Sequence, residues 1–210
     1  QGGSVSFRCL CRQSEWSFCT CDGRRRSAEG KEAGGDLKTL HAVTLVGNPK
    51  IGSRTLQVAE EVTKQLSDWL YLEGCTVTNT TIDIAALGSG LFQTEDRAVT
   101  EVLQNIGNCK LLIAASPVYK ASYTGVLKML LDRLPMEALA GRVAIPVMVA
   151  AAPVHALAVE THFRPVLVEL GACCPTRGVF VLESKLPELG GEIEKWLRTA
   201  KPMLAPLLIR

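Results

Sequence analysis

Short apolar runs along this chain alternate with longer stretches whose apolar residues recur every three or four positions. The run at 41–46 (HAVTLV), ended by Gly47, predicts a first buried strand. From 53 to 70 the positions Leu56, Ala59, Val62, Leu66 and Leu70 carry the spacing of one helix face. Residues 76–84 are β-branched and interleaved with polar side chains, which predicts a strand at a sheet edge. Val99, Val102, Leu103 and Ile106 mark the next helix, closed by Gly107. The run at 110–115 is apolar after its lysine and predicts a central strand. A helix is expected at 123–134, stopped by Pro135. A fourth strand follows at 143–150, interrupted by Pro146, and then a helix at 155–170 that Pro165 should kink or split. A fifth strand at 178–182 and a closing helix at 189–204 complete the series. Strands separated by helices need crossover connections, so the pattern predicts one parallel, doubly wound sheet with helices on both faces.

Composition narrows the class. Of the 210 residues, 47% are apolar and only 5% aromatic, which suits a Val/Leu/Ile/Ala-rich buried sheet and opposes disorder. The net charge is +2, and residues 1–35, with six Lys/Arg against four Asp/Glu, contribute all of it. Residues 36–210 are balanced at 17 against 17, so the body offers no electrostatic footprint for nucleic acid or for an anionic membrane. The longest apolar candidate for a membrane span, 143–154, is short and holds Pro146 and Pro153. The N-terminal stretch has no apolar signal core, and a soluble, cytoplasmic protein is expected.

The composition changes near Asp36, so residues 1–35 read as a disordered N-terminal extension and 36–210 as the folded domain. The extension carries Cys9, Cys11, Cys19 and Cys21 as two C-x-C pairs. Zinc sites usually space paired ligands by two to four residues, so a metal site is disfavoured there. Cys75, Cys109, Cys173 and Cys174 lie in or beside apolar runs, where cysteine behaves as a small hydrophobe.

Sheets of this kind bind ligands at the carboxyl ends of their strands, where the strand order reverses. The loop after the first strand reads GNPKIGSRT, from Gly47 to Thr55. It is neither a Walker loop nor a G-x-G-x-x-G fingerprint. Its residues nevertheless suit an anion: Gly47 and Gly52 allow tight turns, and Ser53 is a natural helix cap. Ser53 and Thr55 offer hydroxyls beside free helix-start N–H groups, and Lys50 and Arg54 offer charge. One short loop fits a single terminal phosphate better than a pyrophosphate; the plain alternative is an ordinary polar βα turn. After the third strand stands SPVYKASYTG, where Pro117 sets the backbone direction and Tyr119 can stack on a flat ring. His41, His155 and His162 read as structural or surface residues. The body contains no Ser-His-Asp set and no C-x-x-C pair.

Together, G-x-P-x-x-x-S-R-T and S-P-V-Y-K-x-x-Y-x-G-x-L-K-x-x-L-D resemble the NAD(P)H-dependent FMN reductases, particularly those of alkanesulfonate-utilising two-component monooxygenase systems. The likeness runs from about His41 to Leu182, through the LP-x-x-AL-x-GR stretch at 134–142 and the run HALAVE at 155–160. It implies a flavodoxin-like three-layer α/β sandwich with a five-stranded parallel sheet, FMN and NADPH (or NADH) as ligands, and a homodimer or homotetramer. It places Asn48, Lys50, Ser53, Arg54 and Thr55 at the FMN phosphate and Pro117, Val118 and Tyr119 along the isoalloxazine. It also matches Tyr123 to a tyrosine that, in some relatives, produces a π-bulge at a subunit interface. The loop after the fourth strand departs from the family pattern. Where Gly-Gly followed by Ser or Thr is usual at the pyrimidine edge, this chain has Ala150-Ala151-Ala152-Pro153. Alanine N–H groups still donate, but positive φ is costly and the hydroxyl is gone.

The implied activity is hydride transfer from nicotinamide to flavin, with reduced FMN passed to a partner flavin-dependent monooxygenase. The protein then binds and orients two rings, which needs no catalytic side chain. The alternatives are a reductase of quinones, azo dyes or metal oxyanions with FMN permanently bound, and a flavodoxin-type electron carrier.

Overall fold

The computed structural model describes residues 38–209. The N-terminal segment 1–35 and its four cysteines lie outside the described residues. The elements are β1 (Lys38–Val46), α1 (Arg54–Leu72), β2 (Cys75–Asp83), α2 (Arg97–Asn108), β3 (Leu111–Pro117), α3 (Gly125–Leu131), β4 (Val143–Ala150), α4 (Arg164–Glu169), β5 (Val179–Leu182) and α5 (Leu189–Leu208). The five strands form one parallel sheet in the order β2-β1-β3-β4-β5, so the order reverses between β1 and β3. This is the flavodoxin-like sandwich that the alternating pattern and the family resemblance called for.

Alternation along the strands builds two cores. Leu40, Ala42 and Val46 of β1 point to one face and pack with Val58, Val62 and Leu66 of α1 and Ile193 and Leu197 of α5. Val43 and Leu45 point to the other face, with Val99 and Ile106 of α2, Leu127 and Leu130 of α3 and Leu167 of α4. β2, the strand expected at an edge, is at the edge. Its neighbour-side polar residues serve the sheet: Thr44 of β1 is fully buried and donates to Asn79 Oδ1 at 2.9 Å, while sharing a 2.7 Å bond with Thr63.

Pro146 sits inside a doubly paired strand without breaking it. The N–H groups of Val143 and Ala144 donate to opposite sides, to Lys110 and to Cys173, so the missing donor of Pro146 falls on the β5 side. Pairing with β5 begins only at Val147, and the deficit lies beyond its end.

Two departures from the sequence pattern and one expected break have local causes. The helix expected at 123–134 is reduced to α3: it starts only after Thr124, whose hydroxyl caps it by accepting from Leu127 N–H, and it ends at the Asp132 cap. The closing helix runs on to Leu208, because Leu204 and Leu208 are buried and anchor its last turn. The segment after β4 splits as expected at Pro165: a π turn at Val159–Phe163 precedes α4. Proline has no N–H for the Thr161 carbonyl, and the Arg164 N–H reaches back five residues to Val159 O. The π geometry therefore lies here. Tyr123, where the family likeness placed it, stands before the cap of α3 and packs its ring against Phe163, with centroids 5.5 Å apart.

Two cysteines behave as the small hydrophobes expected, since Cys75 and Cys109 are buried, and burial pushes the Cys109 thiol up to about 11. Cys173 is exposed instead, and Cys174 is half-buried. Among the described residues no helix is long and apolar enough to cross a membrane, and no group of His, Cys, Asp or Glu is placed to hold a metal ion.

Candidate functional site

The carboxyl ends of β1 and β3 meet at the reversal of strand order, and a cleft of about 380 Å³ opens there. Asn48, Lys50, Ser53, Arg54, Thr55, Pro117 and Tyr119 line it, together with Ile51, Gly52 and Glu183. Seven of the ten residues singled out from the sequence therefore converge. Val118, Ala150 and Ala151 stand outside this lining.

The β1–α1 loop is built by short-range hydrogen bonds. Asn48 is buried and acts as a strut, donating from Nδ2 to Thr55 Oγ1 at 3.1 Å and accepting the Lys50 N–H at 2.9 Å. Gly52 takes φ 63° and donates its N–H to Asp83 Oδ2 at 3.2 Å, at the end of β2. Ser53 is the N-cap of α1: its Oγ accepts from Leu56 N–H at 3.2 Å. Because the Ser53 and Thr55 oxygens each accept a bond from the protein, each hydroxyl keeps its own proton to donate to a ligand. The first-turn N–H groups of α1 add donors and the positive end of its dipole. That turn contains no acidic residue and carries Arg54 at its first position. A cation there is unfavourable for the helix alone and favourable beside a bound anion. These features fit a phosphate monoester.

The β3–α3 loop is anchored in a different way. Ser116, fully buried, accepts the Thr124 N–H at 3.0 Å, and the Thr124 hydroxyl donates to Gly47 O at 2.5 Å, joining the two loops. Gly47 itself donates to Ala115 O at 2.7 Å, and a Cβ at this position would come within 2.5 Å of Leu127. Between Pro117 and Thr124 the chain makes a tight turn in which Tyr119 and Ser122 exchange both backbone hydrogen bonds. Lys120 and Ala121 at its centre have φ 50° and 64°, the sign pattern of a type I′ turn, without the usual Asn or Gly. Tyr119 is thereby held about half exposed at the rim of the cleft.

Val118 donates its N–H to Val149 O at 2.8 Å and is half-buried against the second core, so it holds the loop to β4. Ala150 is the buried last residue of β4, paired with Leu182, whereas Ala151 is exposed just beyond. Neither has positive φ. None of the three histidines lines the cleft.

The NADPH-dependent FMN reductase family model matches residues 40–186. The chain belongs to this family. It is 35% identical over 151 residues to an FMN reductase (NADPH) of Escherichia coli strain K12, covering 70% of this chain and 75% of that protein. It is 33% identical over 178 residues to the NADH-dependent FMN reductase SfnF of Pseudomonas fluorescens, covering 81% and 92%. Among solved structures, an oxidoreductase from Corynebacterium diphtheriae superposes with a TM-score of 0.71 at 28% identity, covering 83% of this chain and 98% of that one. An FMN reductase of this family is an oxidoreductase that uses FMN and a nicotinamide nucleotide.

In this FMN reductase the sequence pattern had not marked Glu183, which follows β5 and reaches Arg54 Nη1 at 2.5 Å. Its partner lies 129 positions away, and nothing local signals the contact. Asp83, holding Gly52, was equally silent. Thr124 carries a local capping signal, a threonine directly before a helical apolar pattern, although the helix was expected to begin at 123.

Proposed function

We propose that this chain is an NAD(P)H-dependent FMN reductase in which Lys50, Ser53, Arg54 and Thr55 hold the flavin phosphate and Asn48 braces their loop. Pro117 and Tyr119 flank the isoalloxazine, Val118 fixes their backbone to β4, and the Ala150-Ala151 backbone stands near the pyrimidine edge. Bound FMN supplies the hydride acceptor and NAD(P)H the donor. The observation that carries the reading is the polar cradle at the start of α1: hydroxyls with protons to spare, two cations and no acid in the first turn. The protein's own work is to bind, orient and shield two rings, consistent with the absence of histidines from the cleft lining.

FMN is a passing substrate in this reading, handed in reduced form to a flavin-dependent monooxygenase by a cytoplasmic homodimer or homotetramer. Incubation with FMN and NADPH or NADH, followed at the nicotinamide absorbance band, tests it. Turnover of excess FMN is expected. No oxidation of either nucleotide would leave the electron-carrier reading, and protein that purifies yellow with stoichiometric FMN would favour a bound-flavin reductase.

A further inference from the structure

The cleft contains one feature that opposes a phosphate. Glu183 lies in its wall, and its carboxylate is bonded to Arg54, the cation placed at the positive end of α1. We infer that Glu183 stands in for the flavin phosphate: it holds Arg54 while the cleft is empty and gives it up when FMN arrives. The inference rests on the reading of this cleft as the FMN phosphate site.

Arg54 at the first turn of α1 has no carboxylate on its own helix turn, and the carboxylate it finds comes from the far end of the sheet, after β5. The Arg54 and Glu183 side chains are 63% and 39% exposed, so the pair is weak enough to open. A phosphate dianion offers Arg54 a stronger, bidentate partner. Its arrival sets Glu183 beside like charge and sends that carboxylate out to water. On release the exchange reverses, so Arg54 is never left without a partner. Glu183 thereby weakens phosphate binding and speeds product departure, which suits a flavin that leaves after each turnover. Glu183 is a specificity-tuning residue; it touches no reacting atom.

The test compares Glu183→Gln, Arg54→Ala and the double variant for equilibrium binding of FMN and of riboflavin, which lacks the phosphate. Glu183→Gln should tighten FMN about three- to tenfold, slow its release and leave riboflavin unchanged. The gain should largely vanish in the Arg54→Ala background. FMN affinity that stays the same or falls in Glu183→Gln would overturn the inference, as would equal tightening of FMN and riboflavin. If the unaltered protein binds FMN and riboflavin equally well, the phosphate reading of the cleft fails as well, and this control separates the two failures.

Discussion

The two ends of the cleft are made by different means. At the end proposed to hold the phosphate, the β1–α1 loop meets its one positive-φ position with Gly52, satisfies its polar atoms through Asn48, Ser53 and Asp83, and keeps its donors for a ligand. At the end proposed to face the ring, the β3–α3 turn places Lys120 and Ala121 in left-handed conformations, and β4 runs out into Ala150 and Ala151 rather than glycines. One end is relaxed and polar. The other is strained and nearly bare, with its shape imposed by Ser116, Thr124 and the Val118–Val149 bond. Under the proposed function, this contrast puts affinity at the phosphate and leaves placement to the ring end.

The largest effect is expected from removing the proposed phosphate cradle. Ser53→Ala with Arg54→Ala should cost about 2–4 kcal/mol of FMN binding through lost charge-assisted hydrogen bonds and barely affect riboflavin. Equal losses in the two titrations would show that the polar end does not read the phosphate. Gly47→Ala comes next. Its Cβ would collide with the Cβ of Leu127 at 2.5 Å, so the two loops must separate at a cost of about 1–3 kcal/mol in urea unfolding. Stability equal to the parent protein would mean that the junction is slack.

Strain at the ring end is tested by relieving it. Lys120→Asn with Ala121→Gly supplies the residues that a type I′ turn prefers and should stabilise the protein by about 1 kcal/mol. A drop in melting temperature would contradict the turn assignment. Behind that end, Glu160 ties the β4 and β5 sides together, accepting from Arg164 Nε at 2.5 Å and from Gly178 N–H at 2.7 Å. Burial works to raise the Glu160 carboxyl, but these bonds and the charges of Arg164 and Arg177 outweigh it and hold the group below its ordinary range. A depressed folded value means that its stabilisation is complete above the ordinary carboxylate pKa and is lost as pH falls through the lowered one. Glu160→Gln should therefore lower neutral-pH stability by about 1 kcal/mol, allowing for partial exposure, and the gap should narrow in acid. A gap that widens in acid would reverse the sign of this account.

The smallest effect belongs to the alanine loop. Ala150 is a buried strand residue, so glycine there mainly weakens β4. Ala151→Gly, just beyond the strand, should tighten FMN by a few tenths of a kcal/mol, with the unaltered protein purifying largely colourless. A yellow preparation with stoichiometric flavin would show that the bare end binds the ring well.

Periodicity along the chain determined most of this architecture before any tertiary information. Period-two runs and helical spacing are local properties, so strand number, the edge position of β2, the central position of β3 and the polar loop after β1 were all legible from neighbouring residues. Ser53, Arg54 and Thr55 were legible for the same reason, since a cap and its helix are adjacent in sequence. Tertiary structure alone decided what depends on residues far apart. The Glu183 carboxylate beside Arg54, the Asp83 hold on Gly52 and the Thr124 bond to Gly47 each join separate βα units, and no periodic signal records such meetings. The left-handed turn at Lys120 and Ala121 belongs with them. Local preference alone would have put Asn or Gly there, and only the anchors at Ser116, Thr124 and Val149 hold the backbone where its own residues would not take it.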